Sequence, residues 1–208
     1  DLTFWEKSRY FALGDWGNVR LVVGDFELFC GQQLVFGSQY SVTPYHISRY
    51  PIIKSHSGLK PYKTLEADYN TDDARDFYRG AGFAINFDGV HFSQFYPSPI
   101  LTVFASYFEN EPFWKLTNQL DFGFNFHTKI PLEDSFIGAN LQYHDGYDGK
   151  SNRLGGSLYY DIGGLPDFRF YGELASFTGF ASIFGVQWEH RDLSTVAMLY
   201  YADTNYNA

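Results

Sequence analysis

Apolar and polar side chains alternate with a period of two along much of this chain, most clearly in its second half. Over 120–127, Leu120, Phe122, Phe124 and Phe126 alternate with Asp121, Gly123, Asn125 and His127. Over 137–144, Ile137, Ala139, Leu141 and Tyr143 alternate with Gly138, Asn140, Gln142 and His144. Over 168–174, Phe168, Phe170 and Leu174 oppose Arg169, Tyr171 and Glu173; over 80–87, Ala81, Phe83, Ile85 and Phe87 oppose Gly80, Gly82, Ala84 and Asn86. Successive side chains of a strand point to opposite faces, so each segment has one apolar face and one face of Gly, Asn, Gln, His and charge. Helical periodicity is hard to find. The pattern predicts strands over 8–15, 18–29, 32–38, 77–87, 90–96, 100–108, 117–127, 135–144, 152–162, 167–176, 179–190 and 193–202, about ten to twelve in all.

Alternation alone fits two architectures. In a soluble sandwich the apolar rows meet inside and the polar rows face water; in a membrane barrel the apolar rows face lipid and the polar rows face the lumen. Three features favour the barrel. The polar rows are rich in small residues and poor in Lys, the segments run to about 9–11 residues, the length that crosses a bilayer at a tilt, and short turns such as Asp88-Gly89, Asp148-Gly149 and 163–167 join successive strands. The expected fold is therefore all-β, an antiparallel up-and-down transmembrane β-barrel over a single domain, 1–208, or a portion of a larger barrel.

One stretch breaks the rhythm. Residues 39–76 form a long connection, basic at first (Arg49, Lys54, Lys60, Lys63, with His46 and His56) and then acidic (Glu66, Asp68, Asp72, Asp73, Asp76). Loops of this length are usually functional, and this one is expected to plug the lumen or to reach outward. Its candidate gate or docking residues are Arg49, Lys54, Lys60, Asp72, Asp73 and Asp76.

Composition sharpens the barrel reading. Aromatic residues make up 21% of the chain, with 22 Phe and 17 Tyr, yet the mean hydropathy is only −0.28. One greasy and one polar face produce that combination, and membrane barrels add aromatic girdles. Trp5, Tyr10, Trp114, Tyr160, Trp188 and Tyr201 are candidate interfacial anchors. A net charge of −9 argues against a general nucleic-acid surface. Cys30 is the only cysteine, so neither an intrachain disulfide nor a Cys-rich metal site is available. No apolar run reaches transmembrane-helix length, the N-terminus is not a signal peptide, and the end at Asn205-Tyr206-Asn207-Ala208 reads as a truncation.

Charge facing lipid costs about 2–4 kcal/mol for Arg or Lys at the midplane. Arg79, Arg153, Asp161, Arg169 and Glu173 are therefore expected to point inward, lining the lumen or pairing across strands. A bulge at Gly24 leaves the facing of Arg20 and Asp25 open. His91, His127, His144 and His190 are the histidines a hydrolase would draw on, but there is no Gly-x-Ser-x-Gly elbow, and no catalytic residue is assigned. No His-Glu-x-x-His or Cys/His spacing occurs. The Asp145-Gly146-Tyr147-Asp148-Gly149 run reads as a solvated hairpin tip rather than a Ca²⁺ loop. No metal or cofactor is expected.

Several phrases fall in a telling order: Gly24-Asp25-Phe26, then 29–37 with Gly31-Gln32-Gln33-Leu34-Val35, Ser57-Gly58-Leu59-Lys60-Pro61-Tyr62, Asp76-Phe77-Tyr78-Arg79-Gly80-Ala81, Phe126-His127-Thr128, Ile137-Gly138-Ala139-Asn140-Leu141-Gln142-Tyr143 and Tyr171-Gly172-Glu173-Leu174-Ala175. This order, over about 20–206, resembles a family of Bacteroidota envelope proteins with N-terminal helix-hairpin-helix (ComEA-like) motifs followed by an outer-membrane-like barrel. The chain departs from the family at Cys30, at Gln33 and in its longer acidic run 66–76. It carries no helix-hairpin-helix, so nucleic acid is not supported as a partner. The resemblance implies a bacterial outer-membrane location, with lipid and an envelope protein or plug as partners. The expected function is that of a channel, translocation component or envelope scaffold. The alternatives are a soluble carbohydrate-binding β-sandwich and a barrel-borne hydrolase.

Overall fold

The computed structural model describes residues 10–28, 30–31, 34–35, 59–61, 78–87, 99–108, 119–133, 135–146, 152–190 and 193–205. Their regular structure is all strand: β1 (Phe11–Trp16), β2 (Val19–Glu27), β3 (Lys60–Pro61), β4 (Tyr78–Asn86), β5 (Ile100–Phe108), β6 (Gln119–Lys129), β7 (Phe136–Gly146), β8 (Arg153–Leu165), β9 (Phe168–Ser176), β10 (Phe180–His190) and β11 (Leu193–Ala202). Ten of them follow one another as antiparallel neighbours in a single sheet, β1-β2-β4-β5-β6-β7-β8-β9-β10-β11, and the two-residue β3 pairs with the end of β2. No pairing between β1 and β11 occurs among the described residues.

The expected strands 100–108 and 193–202 match β5 and β11, and most of the others shift by one to three residues. The segment 90–96 lies outside the described residues. The segment 32–38 is a correction: Leu34 and Val35, its described residues, lie in a bend and belong to no strand. Both are buried against the inner face of the sheet. A period-two pattern reports that side chains face two ways; it does not require the backbone to pair.

The register decides which rows share a face. Phe124 stands opposite Val103 and Leu141, and Asn125 opposite Thr102 and Asn140, so the rows read from the sequence continue from strand to strand. Phe122, Phe124 and Phe126 are 38–45% exposed, as are many of their neighbours along the outer row, whereas Asp121, Asn125, Asp161 and Glu173 are at most 1% exposed. The sheet curls around its polar row and presents its apolar row outward. A dry sandwich would show the reverse.

The inner face has two sectors. Val22, Phe26, Ala84 and Phe104 from β2, β4 and β5 join Tyr171, Ala175, Ala181 and Ile183 from β9 and β10 in one apolar cluster, completed by Leu28, Cys30, Leu34, Val35 and Leu59. Phe26 stacks on Tyr78 at 5.6 Å and meets Phe104 edge-on at 6.2 Å. The β6–β8 sector is polar. Described residues from outside the ten strands thus pack against the inner face of the sheet.

Connections at the two ends differ in length. At the end where β1 finishes, the links are 17–18, 87–99, 130–135, 166–167 and 191–192; at the other they are 28–77, 109–118, 147–152 and 177–179. The Pro166-Asp167 turn holds Asp167 at φ 65, a left-handed conformation that Asp tolerates better than most residues. Its carboxylate meets His190 Nδ1 at 3.0 Å.

Candidate functional site

The polar sector is built by register. Thr102, Asn125, Asn140 and Ser157 stand opposite one another in turn across β5–β8. Asn125 Nδ2 donates to Asn140 Oδ1 at 2.7 Å and to the Tyr159 hydroxyl at 2.7 Å. Asn140 Nδ2 donates to Ser157 Oγ at 2.9 Å and to Glu173 Oε1 at 3.3 Å, and Ser157 Oγ donates to the same Glu173 oxygen. Because Nδ2 of Asn125 is spent on these acceptors, its Oδ1 is the acceptor for His127 Nδ1 at 3.1 Å. A directed chain of hydrogen bonds therefore crosses four strands and terminates on a buried carboxylate.

Charged groups sit toward the two mouths of the sheet. Toward the long-loop end, Asp121 Oδ1 meets His144 Nδ1 at 2.7 Å and Gln142 Nε2 at 3.4 Å, and Arg153 stands opposite His144 in the register. Toward the short-turn end, Arg169 Nε donates to Asp161 Oδ1 at 2.5 Å. Arg153, Asp161, Arg169 and Glu173 share the inner-row alternation with Ser157, Tyr159 and Tyr171.

Arg79 does not share that face, which corrects its expected inward placement. Tyr78 and Gly80 belong to the inner row, so Arg79 between them falls on the face of Ala81 and Phe83, directly opposite Asp25. Its guanidinium binds Asp25 at 2.7 Å and lies over the Tyr10 ring at 5.1 Å, and Tyr10 N donates to Asp25 Oδ2 at 3.0 Å. Arg79 is thus paired and lies near the end of β4. Gly24, at φ 103, distorts β2 beside this cluster, and Asp25 is completely buried in it.

Between the mouths, the outer row of β4–β11 carries Phe83, Val103, Phe122, Phe124, Phe126, Ile137, Leu141, Leu158, Leu174, Phe184 and Leu199, with small residues among them. Ionisable groups on this row occur only near strand ends, at Arg79, Asp145 and His190. Aromatic side chains mark both limits: Tyr10, Tyr107, Tyr143, Phe180 and Tyr201 at the long-loop end, Trp16, Phe168 and Trp188 at the other. Trp188 stacks on His190 with an interplanar angle of 2°. Tyr160 sits nearer the middle of the outer row, and Trp5 and Trp114 lie outside the described residues.

Inner aromatics lie flat across glycines of the adjoining strand. Tyr159 faces Gly138 and Tyr171 faces Gly185 in direct register, and a Cβ on either glycine would come within 2.3 Å of the ring. Gly138→Val should therefore displace Tyr159 and cost about 1–3 kcal/mol by overpacking. A urea midpoint unchanged from wild type would contradict that geometry.

Of the expected loop residues, Arg49, Lys54, Asp72, Asp73 and Asp76 lie outside the described residues. Lys60, in β3, pairs through its backbone with Glu27 of β2, and the adjacent Leu59 is buried over Gly82. Part of the 39–76 connection thus reaches the inner face. His91 also lies outside the described residues. Ser157 is bonded to Glu173 and Asn140 rather than to an imidazole. Among the described residues no group of three or more His, Cys, Asp or Glu side chains could hold a metal ion. Asp121, Asn125 and Asn140 were legible as inward-facing, but Ser157 was not singled out, and the network was not legible because register across strands is not written in any single strand. Comparisons with protein-family models, curated proteins and solved structures gave no match.

Proposed function

We propose that this chain forms a transmembrane β-barrel of the bacterial outer-membrane type and acts there as a channel, translocation component or envelope scaffold whose interior is occupied by its own chain. One observation carries the reading: the exposed outer row is apolar between two aromatic limits, while Asp121, Asn125 and Glu173 are buried on the opposite face. An eleven-residue strand such as β6 is about 34 Å long at ~3.4 Å per residue. Tilted by about 40°, it spans roughly 26 Å, the height of the apolar band of such barrels.

Closure follows from the same solvent argument. Backbone groups exposed to hydrocarbon cost several kcal/mol each, so the edges of β1 and β11 need partners. With ten strands in the path, β1 and β11 run antiparallel and can pair directly. Outer-membrane lipid then covers the Phe and Leu rows, Arg153, Asp161, Arg169 and Glu173 line the interior, and an envelope protein meets the long loops. The resemblance to the Bacteroidota envelope family fits this assignment. A soluble carbohydrate-binding sandwich would need the outer Phe rows inside.

The protein should partition into detergent, insert into lipid vesicles and migrate faster on a gel unheated than boiled. Recovery from the aqueous phase as a monomer with heat-independent mobility would remove the membrane reading. Bilayer recordings should give little steady conductance, because side chains fill the interior.

A further inference from the structure

We propose that a recess on the outer face of β6–β10 holds one acyl chain of a zwitterionic phospholipid as a resident ligand. The proposal rests on the outer-membrane reading and names, within that lipid-facing surface, a place where a chain is retained. The recess has a volume of about 470 Å³, within the range of small-molecule sites, about 300–1,000 Å³. Its axis is one row of the register: Phe124, Leu141, Gly156, Ser176 and Phe180 stand opposite one another in turn. Phe124 is the central residue of β6, whereas Ser176 is the last of β9 and Phe180 the first of β10. The trough therefore starts at an aromatic limit and runs obliquely into the apolar band, the path of a chain that hangs from headgroup level. Leu158 and Leu174 stand along one side, 66% and 53% exposed. Of the outer-row residues that line it, only Ser176 has a polar side chain.

Two outer-row glycines show that the fold fills one such space and leaves the other open. Gly172 lies under the Tyr160 ring, whose Cε1 would be 2.8 Å from an added Cβ. At Gly156 an added Cβ would meet the Asn140 backbone oxygen at 2.9 Å and Leu141 Cδ1 at 3.4 Å, with no ring in that place. The floor is bare backbone, so the depth is set by strand packing and not by a movable side chain. A second copy of the chain fits poorly. Stable protein interfaces bury about 1,200–2,000 Å², and a trough one register row wide receives a single flexible chain instead. Charge selects the headgroup. The β9–β10 turn and the end of β11 border the mouth, and their one described charge is Asp203, whose N–H donates to Phe180 O at 2.8 Å. An anionic headgroup gains nothing beside that carboxylate.

Protein folded in dodecyl maltoside with dioleoyl phosphatidylcholine, then washed in lipid-free detergent, should keep about one lipid per chain by native mass spectrometry, the occupancy of one buried small-molecule site. Ser176→Leu and Ala139→Leu fill the trough from its floor. Each should lower retention about tenfold or more, the factor for two methylenes expelled from apolar contact, with the heat-modifiable folded band kept. If one of them does not fold, the other decides. Ala81→Leu, the same kind of enlargement on the outer row of β4, should retain the lipid. On unmodified protein, dioleoyl phosphatidylglycerol should displace the bound lipid no better than phosphatidylcholine does. A wild-type protein that holds no lipid, unchanged retention in a folded filled variant, or selective displacement by phosphatidylglycerol would overturn the proposal. A lipid-free dimer that Ser176→Leu dissociates would overturn it in favour of a second copy. Insertion into vesicles without a retained lipid removes the resident chain alone, whereas retention by a protein that stays aqueous would sink the membrane reading and leave the lipid site.

Discussion

Replacing Phe124 with arginine should reduce the equilibrium for folding into lipid vesicles by a factor of about 30 to 900. Phe124 lies at the centre of β6, between outward Phe122 and Phe126, and across from Val103 and Leu141. A guanidinium at a barrel's midplane costs about 2–4 kcal/mol, and ~1.36 kcal/mol is a factor of ten. Tyr107→Lys, near the aromatic limit of β5, should cost about 1 kcal/mol or less. The depth dependence is the discriminating feature. On a water-facing surface both changes would stay within about 0.5 kcal/mol. A urea titration of the two variants in vesicles that finds equal, small effects would show that acyl chains do not meet this face.

Asp161→Ala should cost about 3 kcal/mol, read as a shift in the urea midpoint of the micelle-folded protein. Asp161 is 1% exposed and binds Arg169 at 2.5 Å, and the Arg169 side chain is 22% exposed. Removing one member of a buried pair leaves the other charge poorly solvated, a loss of about 3–5 kcal/mol; partial access of Arg169 to water places this case at the lower end. The double change Asp161→Leu with Arg169→Met should recover most of the loss, because both desolvation penalties vanish together. A double variant as unstable as Asp161→Ala would mean that the pair contributes a specific interaction beyond mutual neutralisation.

The facing of the rows was legible in the sequence because it depends only on the period of two. Leu120, Phe122, Phe124 and Phe126 fall outward and Asp121, Asn125 and His127 inward, as their alternation predicts. Two errors have physical causes. Leu34 and Val35 satisfy strand composition, but their environment is the inside of the wall and not a place within it. Arg79 was placed inward on the cost of its charge, although its alternation with Gly80 and Gly82 put it on the other face; the Asp25 carboxylate, one strand away, offsets that cost and could not be read from the neighbourhood of Arg79 in the chain. The hydrogen-bond chain from Asn125 to Glu173 depends on three separate registers at once, each set by a hairpin rather than by the residues concerned.

The unequal connections give the molecule a direction. Three of the five links at one end are only two residues long, although 87–99 lies there too, while the other end carries the longest, 28–77, together with 109–118. Outer-membrane barrels keep their short turns in the periplasm and send long loops outside. In the outer-membrane reading proposed above, that polarity would place Tyr10, Tyr107 and Tyr201 in the cell-surface leaflet and the 28–77 connection on the exterior side. If that reading holds, a protease added to intact cells should cut the 28–77 connection before the 17–18 or 166–167 turn.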